Sequence, residues 1–128
     1  MTKKGIHTEK APAAIGPYQQ GIRLGDWVFT SGQIALDPAT GNFMAGDIEQ
    51  ETELTLKNIE AILQSEGLTM EHVVKATVYL SDMSEFARMN SVYEKSFATG
   101  KPARACVQVA ALPKGAKVEI DVIAAANG

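Results

Sequence analysis

The tract Ala103-Arg104-Ala105-Cys106-Val107-Gln108-Val109 and the later Val118-Glu119-Ile120 set a guanidinium, a thiol and a carboxylate close together in the chain. In an extended strand Arg104, Cys106 and Gln108 share one face, and Ala105, Val107 and Val109 the other. If the Leu112–Ala116 connection is a hairpin, Glu119 falls across from about Gln108, within side-chain reach of Cys106 and towards Arg104. An arginine fork can grip an anionic ligand through two parallel donors while a carboxylate accepts a proton. A cross-strand ion pair, worth at most about 1 kcal/mol when exposed, leaves the same trace in a sequence. Asn90 favours the chemical alternative. It falls on the apolar stripe of a predicted helix, between Phe86 and Tyr93, where an amide needs a partner, although a satisfied core amide would occupy the same place.

Other chemistries find less support. Cys106 is the single cysteine, and the only histidines, His7 and His72, stand in the N-terminal segment and at the opening of a predicted strand, which disfavours a Cys–His nucleophile. Neither histidine has metal-ligand spacing with a second histidine or cysteine, so no metal is assigned. Gly25 and Gly32 belong to no phosphate-binding glycine pattern.

The elements that must position these residues follow from periodicity. Gly21–Ser31 reads as two β segments with a Gly25-Asp26 turn. From Ile48 to Glu66 the residues Leu56, Ile59, Ile62 and Leu63 recur at helical spacing, and Gly67 supplies the stop. Val74, Ala76, Val78 and Leu80 alternate with polar residues, the period of a half-buried strand. Asp82-Met83-Ser84-Glu85 reads as a capping box opening a second helix, with Phe86, Met89, Tyr93 and Phe97 on its buried stripe. Strands over Ala103–Ala111 and Lys117–Ala125 close the chain. The expected order is β-β-β-α-β-α-β-β: an α+β domain with two helices on one face of a sheet. The other face keeps apolar residues such as Ile123, which predicts a homo-oligomer.

No repeat or linker divides the 128 residues, so one domain is expected over 1–128. A formal charge of -3, with scattered basic residues, gives no electrostatic reason for nucleic acid as a partner. One cysteine, no signal-peptide pattern and no bilayer-length apolar run point to the cytoplasm and away from a membrane.

Pro102–Val109 with Leu112–Ile120 resembles the signature of the reactive intermediate (imine) deaminase family, also called RidA or YjgF. The resemblance continues through Ala11–Tyr18, Phe29–Ile34, Leu36–Gly41 and Met89–Tyr93, essentially the whole chain. It implies a chorismate-mutase-like fold, a homotrimer with clefts between subunits, and hydrolysis of 2-imino acids such as 2-iminobutanoate and 2-iminopropanoate without a cofactor. These imines arise from pyridoxal-phosphate enzymes, and the products are 2-oxo acids and ammonia. By resemblance Arg104 holds the substrate carboxylate, Glu119 positions or deprotonates water, and the backbone of Cys106 contacts the ligand. Tyr18, Ser31 and Asn90 line the cleft, and Gly32 admits close approach. Gln19 stands where many relatives have serine. With Arg104 nearby, Glu119 is expected to favour its ionised form. Two other readings stand beside this one: a noncatalytic module binding small carboxylates such as 2-oxo acids, and an RNA-directed activity that the acidic balance disfavours.

Overall fold

The computed structural model describes residues 2–127. The strands are β1 (Lys4–Ile6), β2 (Gly21–Leu24), β3 (Trp27–Thr30), β4 (Val73–Leu80), β5 (Ala103–Gln108) and β6 (Val118–Ala125). The helices are α1 (Ile48–Gln64), between β3 and β4, and α2 (Phe86–Ser96), between β4 and β5. α1 begins at a capping box, Asp47 accepting from the Gln50 amide while the Gln50 side chain answers the Asp47 backbone. Its buried stripe contains the expected Leu56, Ile59, Ile62 and Leu63, joined by Ile48 at its start. It stops at Gln64, just before Gly67, whose φ of 74° is left-handed and suits glycine.

All six strands form one mixed sheet in the order β1-β2-β3-β6-β4-β5. β4 and β5 are parallel, as a strand–helix–strand crossover through α2 requires, and the remaining pairs are antiparallel. Ala76, Val78 and Leu80 of β4 and Val118, Ile120 and Val122 of β6 are buried with the helices, a core in which each large side chain contributes about 1.5–3 kcal/mol. The opposite face is only half covered. Trp27, Phe29 and Val107 remain 44%, 38% and 44% exposed there, and Ile123 lies beside them on β6, the uncovered apolar face expected from the sequence.

Three local expectations need correction. The last two strands are not a hairpin: β5 pairs with one edge of β4 and β6 with the other, so the 109–117 connection crosses over β4. That connection is longer than a tight turn and carries Pro113 and a left-handed Lys114 with φ 57°. Second, Asp82 caps a short turn over Met83–Glu85 through the Ser84 amide, and Glu85 pairs with Arg88 instead of reaching back. Third, Val74 is not in the buried alternation: a register shift between Val73 and Lys75 buries Val73 and turns Val74 out.

Candidate functional site

Arg104 is the second residue of edge strand β5, paired in register with Ala76 and therefore on the helix face of the sheet. α2 meets it there. Its Nη1 donates to Asn90 Oδ1 at 2.6 Å, so the amide expected to need a partner has found the arginine. The guanidinium carbon stands 4.7 Å from the Tyr93 ring centre and 5.4 Å from that of Phe86, cation–π distances that hold the fork in place while the residue stays exposed. A cavity of about 380 Å³ opens here, lined by Asn90, Tyr93, Phe97, Lys101 and Arg104 among others. Cys106 follows on the same face, half-buried against the core. Burial raises its thiol above the ordinary range despite the opposing pull of Arg104, which does not describe an activated nucleophile.

Glu119 pairs in register with Tyr79 and faces the other way, on the side the helices leave open. It ends a pocket of about 130 Å³ walled by three loops, which bring in Pro12, Ile15 and Tyr18, then Gly32 and Ile34, then Lys114. A Cβ on Gly32 would overlap the Glu119 carboxylate, with Cδ only 2.9 Å away, so this backbone can come close only as glycine. Ser31 precedes it with its hydroxyl already committed to Gln19 O at 2.5 Å. Burial pushes the Glu119 carboxyl above the usual range, and the negative charge of Asp121 on the same face adds to the rise. Asp121 is itself raised by burial and accepts a hydrogen bond from Tyr79 Oη at 3.1 Å.

The expected residues thus assemble into two half-sites. Asn90, Arg104 and Cys106 lie on the helix side, while Tyr18, Gly32 and Glu119 lie on the open side, with Ser31 adjoining them. Within one chain Arg104 and Glu119 do not meet, because β4 separates their strands and their side chains leave by opposite faces. The expectation that Arg104 favours the ionised carboxylate therefore fails inside the chain, where burial and Asp121 govern Glu119. Sequence reasoning had placed Phe86 and Tyr93 only in the core, and it missed Gln20 and Lys114 in the pocket. The turn residues around Lys114 were the available signal for the latter. Among the described residues no group of His, Cys, Asp and Glu is arranged to hold a metal ion, and no helix is long and apolar enough to cross a membrane.

The family described as Endoribonuclease L-PSP matches residues 8–126. The 2-iminobutanoate/2-iminopropanoate deaminase of Bos taurus is 47% identical over 124 residues, 97% of this chain and 90% of that protein. Protein DfrA of Myxococcus xanthus is 49% identical over 126 residues, 97% of this chain and 96% of the relative. The crystal structure of E. coli TdcF with bound serine superposes with a TM-score of 0.90 at 46% identity, covering 95% of this chain and 98% of that one.

Proposed function

The chain belongs to the L-PSP family, the RidA or YjgF family that its motifs resemble, and from that membership we propose that it is a hydrolase of 2-imino acids, working in clefts between copies of a homotrimer with a chorismate-mutase-like fold. The observation that carries this reading is the split site. A guanidinium fixed by Asn90 and two aromatic rings sits at the sheet edge, and a carboxylate pocket opens on the opposite, half-uncovered face. A second copy laid on that face would cover Trp27, Phe29 and Val107, and the proposed cleft forms where that copy's β5 edge, which carries Arg104, meets the Glu119 pocket. Tyr18, Ser31 and Gly32 would line the cleft on the acid's side, Asn90 and Cys106 on the arginine's.

In that cleft Arg104 takes the substrate carboxylate through two parallel donors and so fixes the imine carbon. Glu119 accepts a proton from water as the oxygen adds to that carbon, giving a carbinolamine. Glu119 returns the proton to the carbinolamine nitrogen, and as the C–N bond breaks the hydroxyl proton passes back to the Glu119 carboxylate, releasing ammonia and the 2-oxo acid. The protonated imine is already electrophilic, so orientation supplies much of the acceleration and no cofactor is called for. Cytoplasm is the setting proposed, since these imines are shed by pyridoxal-phosphate enzymes acting on serine or threonine.

The test is release of ammonia and 2-oxo acid from imine generated by such an enzyme. The wild-type chain should accelerate it and Arg104→Ala should lose nearly all of that acceleration; equal rates would remove the site. One observation favours a second reading, a noncatalytic binder of small carboxylates: the structurally similar TdcF was crystallised with bound serine. Under that reading Glu119→Gln leaves 2-oxo acid affinity intact and there is no turnover to lose. An RNA-directed activity, named in the family's description, finds no clustered Lys and Arg in this acidic chain.

A further inference from the structure

Three buried polar side chains take no part in the chemistry described above, and each reaches a different wall of the Glu119 pocket. Gln20, 2% exposed, accepts from the Thr8 amide at 2.7 Å and donates through Nε2 to the carbonyls of Thr8, Ala11 and Pro12 at 2.9, 3.2 and 2.8 Å. These bonds tie down the irregular segment that brings Pro12, Ile15 and Tyr18 to the pocket. Asn58, 1% exposed in the middle of α1, donates through Nδ2 to the carbonyls of Ile34 and Leu36 at 3.2 and 2.9 Å, fastening the wall that follows Gly32. Glu51, also 1% exposed, accepts from the Lys117 amide at 2.9 Å and from Lys117 Nζ at 3.4 Å, and that ammonium donates onward to Gly46 O at 2.8 Å. It thereby anchors the end of the connection bearing Pro113 and Lys114, two residues before Glu119.

A buried amide or carboxylate costs stability unless its bonds are made, and an apolar residue of similar volume would fill a core position without that risk. Here the three bonded groups fall on the three loops that form the pocket, where backbone pairing with the sheet is confined to single contacts such as the Gln33–Ile120 bridge and the Ser81 amide on Lys117 O. We propose that Gln20, Asn58 and Glu51 are positioning residues for the Glu119 pocket, each fastening one of its walls. As a contribution to turnover this rests on the deaminase reading; as a statement about the pocket it does not. The pocket would otherwise be the kind of loop-built cavity that opens locally at little cost, and displacement of a reacting group by about 1 Å can lower a rate on the order of 100-fold.

The test uses the full chain with Gln20→Leu, Glu51→Gln and Asn58→Leu, followed by amide hydrogen exchange and by kcat and KM for imine hydrolysis. If Gln20→Leu does not fold, Gln20→Glu, which keeps the volume and the acceptor but loses the amide donors, replaces it. Each variant should exchange about tenfold faster in its own wall (8–18, 34–44 or 113–117), leave the other two within about threefold, and lower kcat about tenfold with KM little moved. Exchange that is unchanged, or that rises equally across the sheet, overturns the proposal, as does retention of the wild-type kcat in all three variants. A wild-type chain without hydrolysis refutes the deaminase reading instead, and the exchange pattern then decides the positioning role alone.

Discussion

Arg104 and Glu119 stand on strands that flank the same neighbour, β4, yet their side chains leave the sheet by opposite faces: Arg104 is in register with Ala76 and Glu119 with Tyr79. One residue is fixed by a helix and the other lies in a pocket between loops, and the proposed cleft joins the two across a pair of copies. The consequences are open to measurement.

Loss of either group should act differently. Arg104→Ala removes charged hydrogen bonds worth about 3 kcal/mol, so kcat/KM should fall about 100-fold or more. Glu119→Gln should hold 2-oxo acid affinity within about threefold while kcat falls by roughly 100- to 10,000-fold, the range for a lost general base. Titration calorimetry beside steady-state rates separates the two.

Much of this arrangement was legible in the chain. The stripes of Ile59, Ile62 and Leu63 and of Met89, Tyr93 and Phe97 place both helices, and the alternation from Ala76 to Leu80 places β4. The partnership of Asn90 was readable as a need. What was not legible is the course of the last two strands: local alternation says which face a residue takes but not which neighbour its strand joins, and a strand–helix–strand crossover sends β5 to one side of β4 and β6 to the other. The same error brought Glu119 too near Arg104. Gln20, Asn58 and Glu51 escaped because their partners are backbone atoms brought close only by the fold.

The pH response of Glu119 should depend on Asp121. Burial and the Asp121 charge both raise the Glu119 carboxyl, so the acidic limb of the rate profile should lie above the ordinary range, and Asp121→Asn should move it to lower pH. Stability follows the same shift. A carboxyl whose pKa rises on folding contributes stability below its unfolded value and loses it as pH climbs through the folded value. Glu119→Gln should therefore melt higher than the parent at neutral pH, with the gap closing below about pH 4. Rate profiles and thermal melts across pH check both.

Tyr93→Phe should be tolerated or mildly stabilising. The phenol oxygen is buried with no hydrogen-bond partner among the described residues, whereas the ring face that holds Arg104 survives the change. Removing an unsatisfied hydroxyl should leave stability unchanged or raise it by about 1 kcal/mol, with kcat within about twofold. Denaturant unfolding and steady-state kinetics read it.

Gly32→Ala tests the closeness of backbone and acid. The added methyl would overlap the Glu119 carboxylate and must displace it. Stability should fall by about 1–2 kcal/mol and kcat by about tenfold or more, while Ser31→Ala, whose hydroxyl bonds the Gln19 carbonyl, should do less.

The most direct measurement mixes two dead variants. Arg104→Ala and Glu119→Gln, each inactive alone, are unfolded together, refolded and assayed for imine hydrolysis. If every site draws its arginine from one copy and its acid from another, random assembly rebuilds about a quarter of the sites and roughly that share of wild-type activity. A mixture as inactive as its components, from assemblies shown to have exchanged subunits, would contradict a site built between copies.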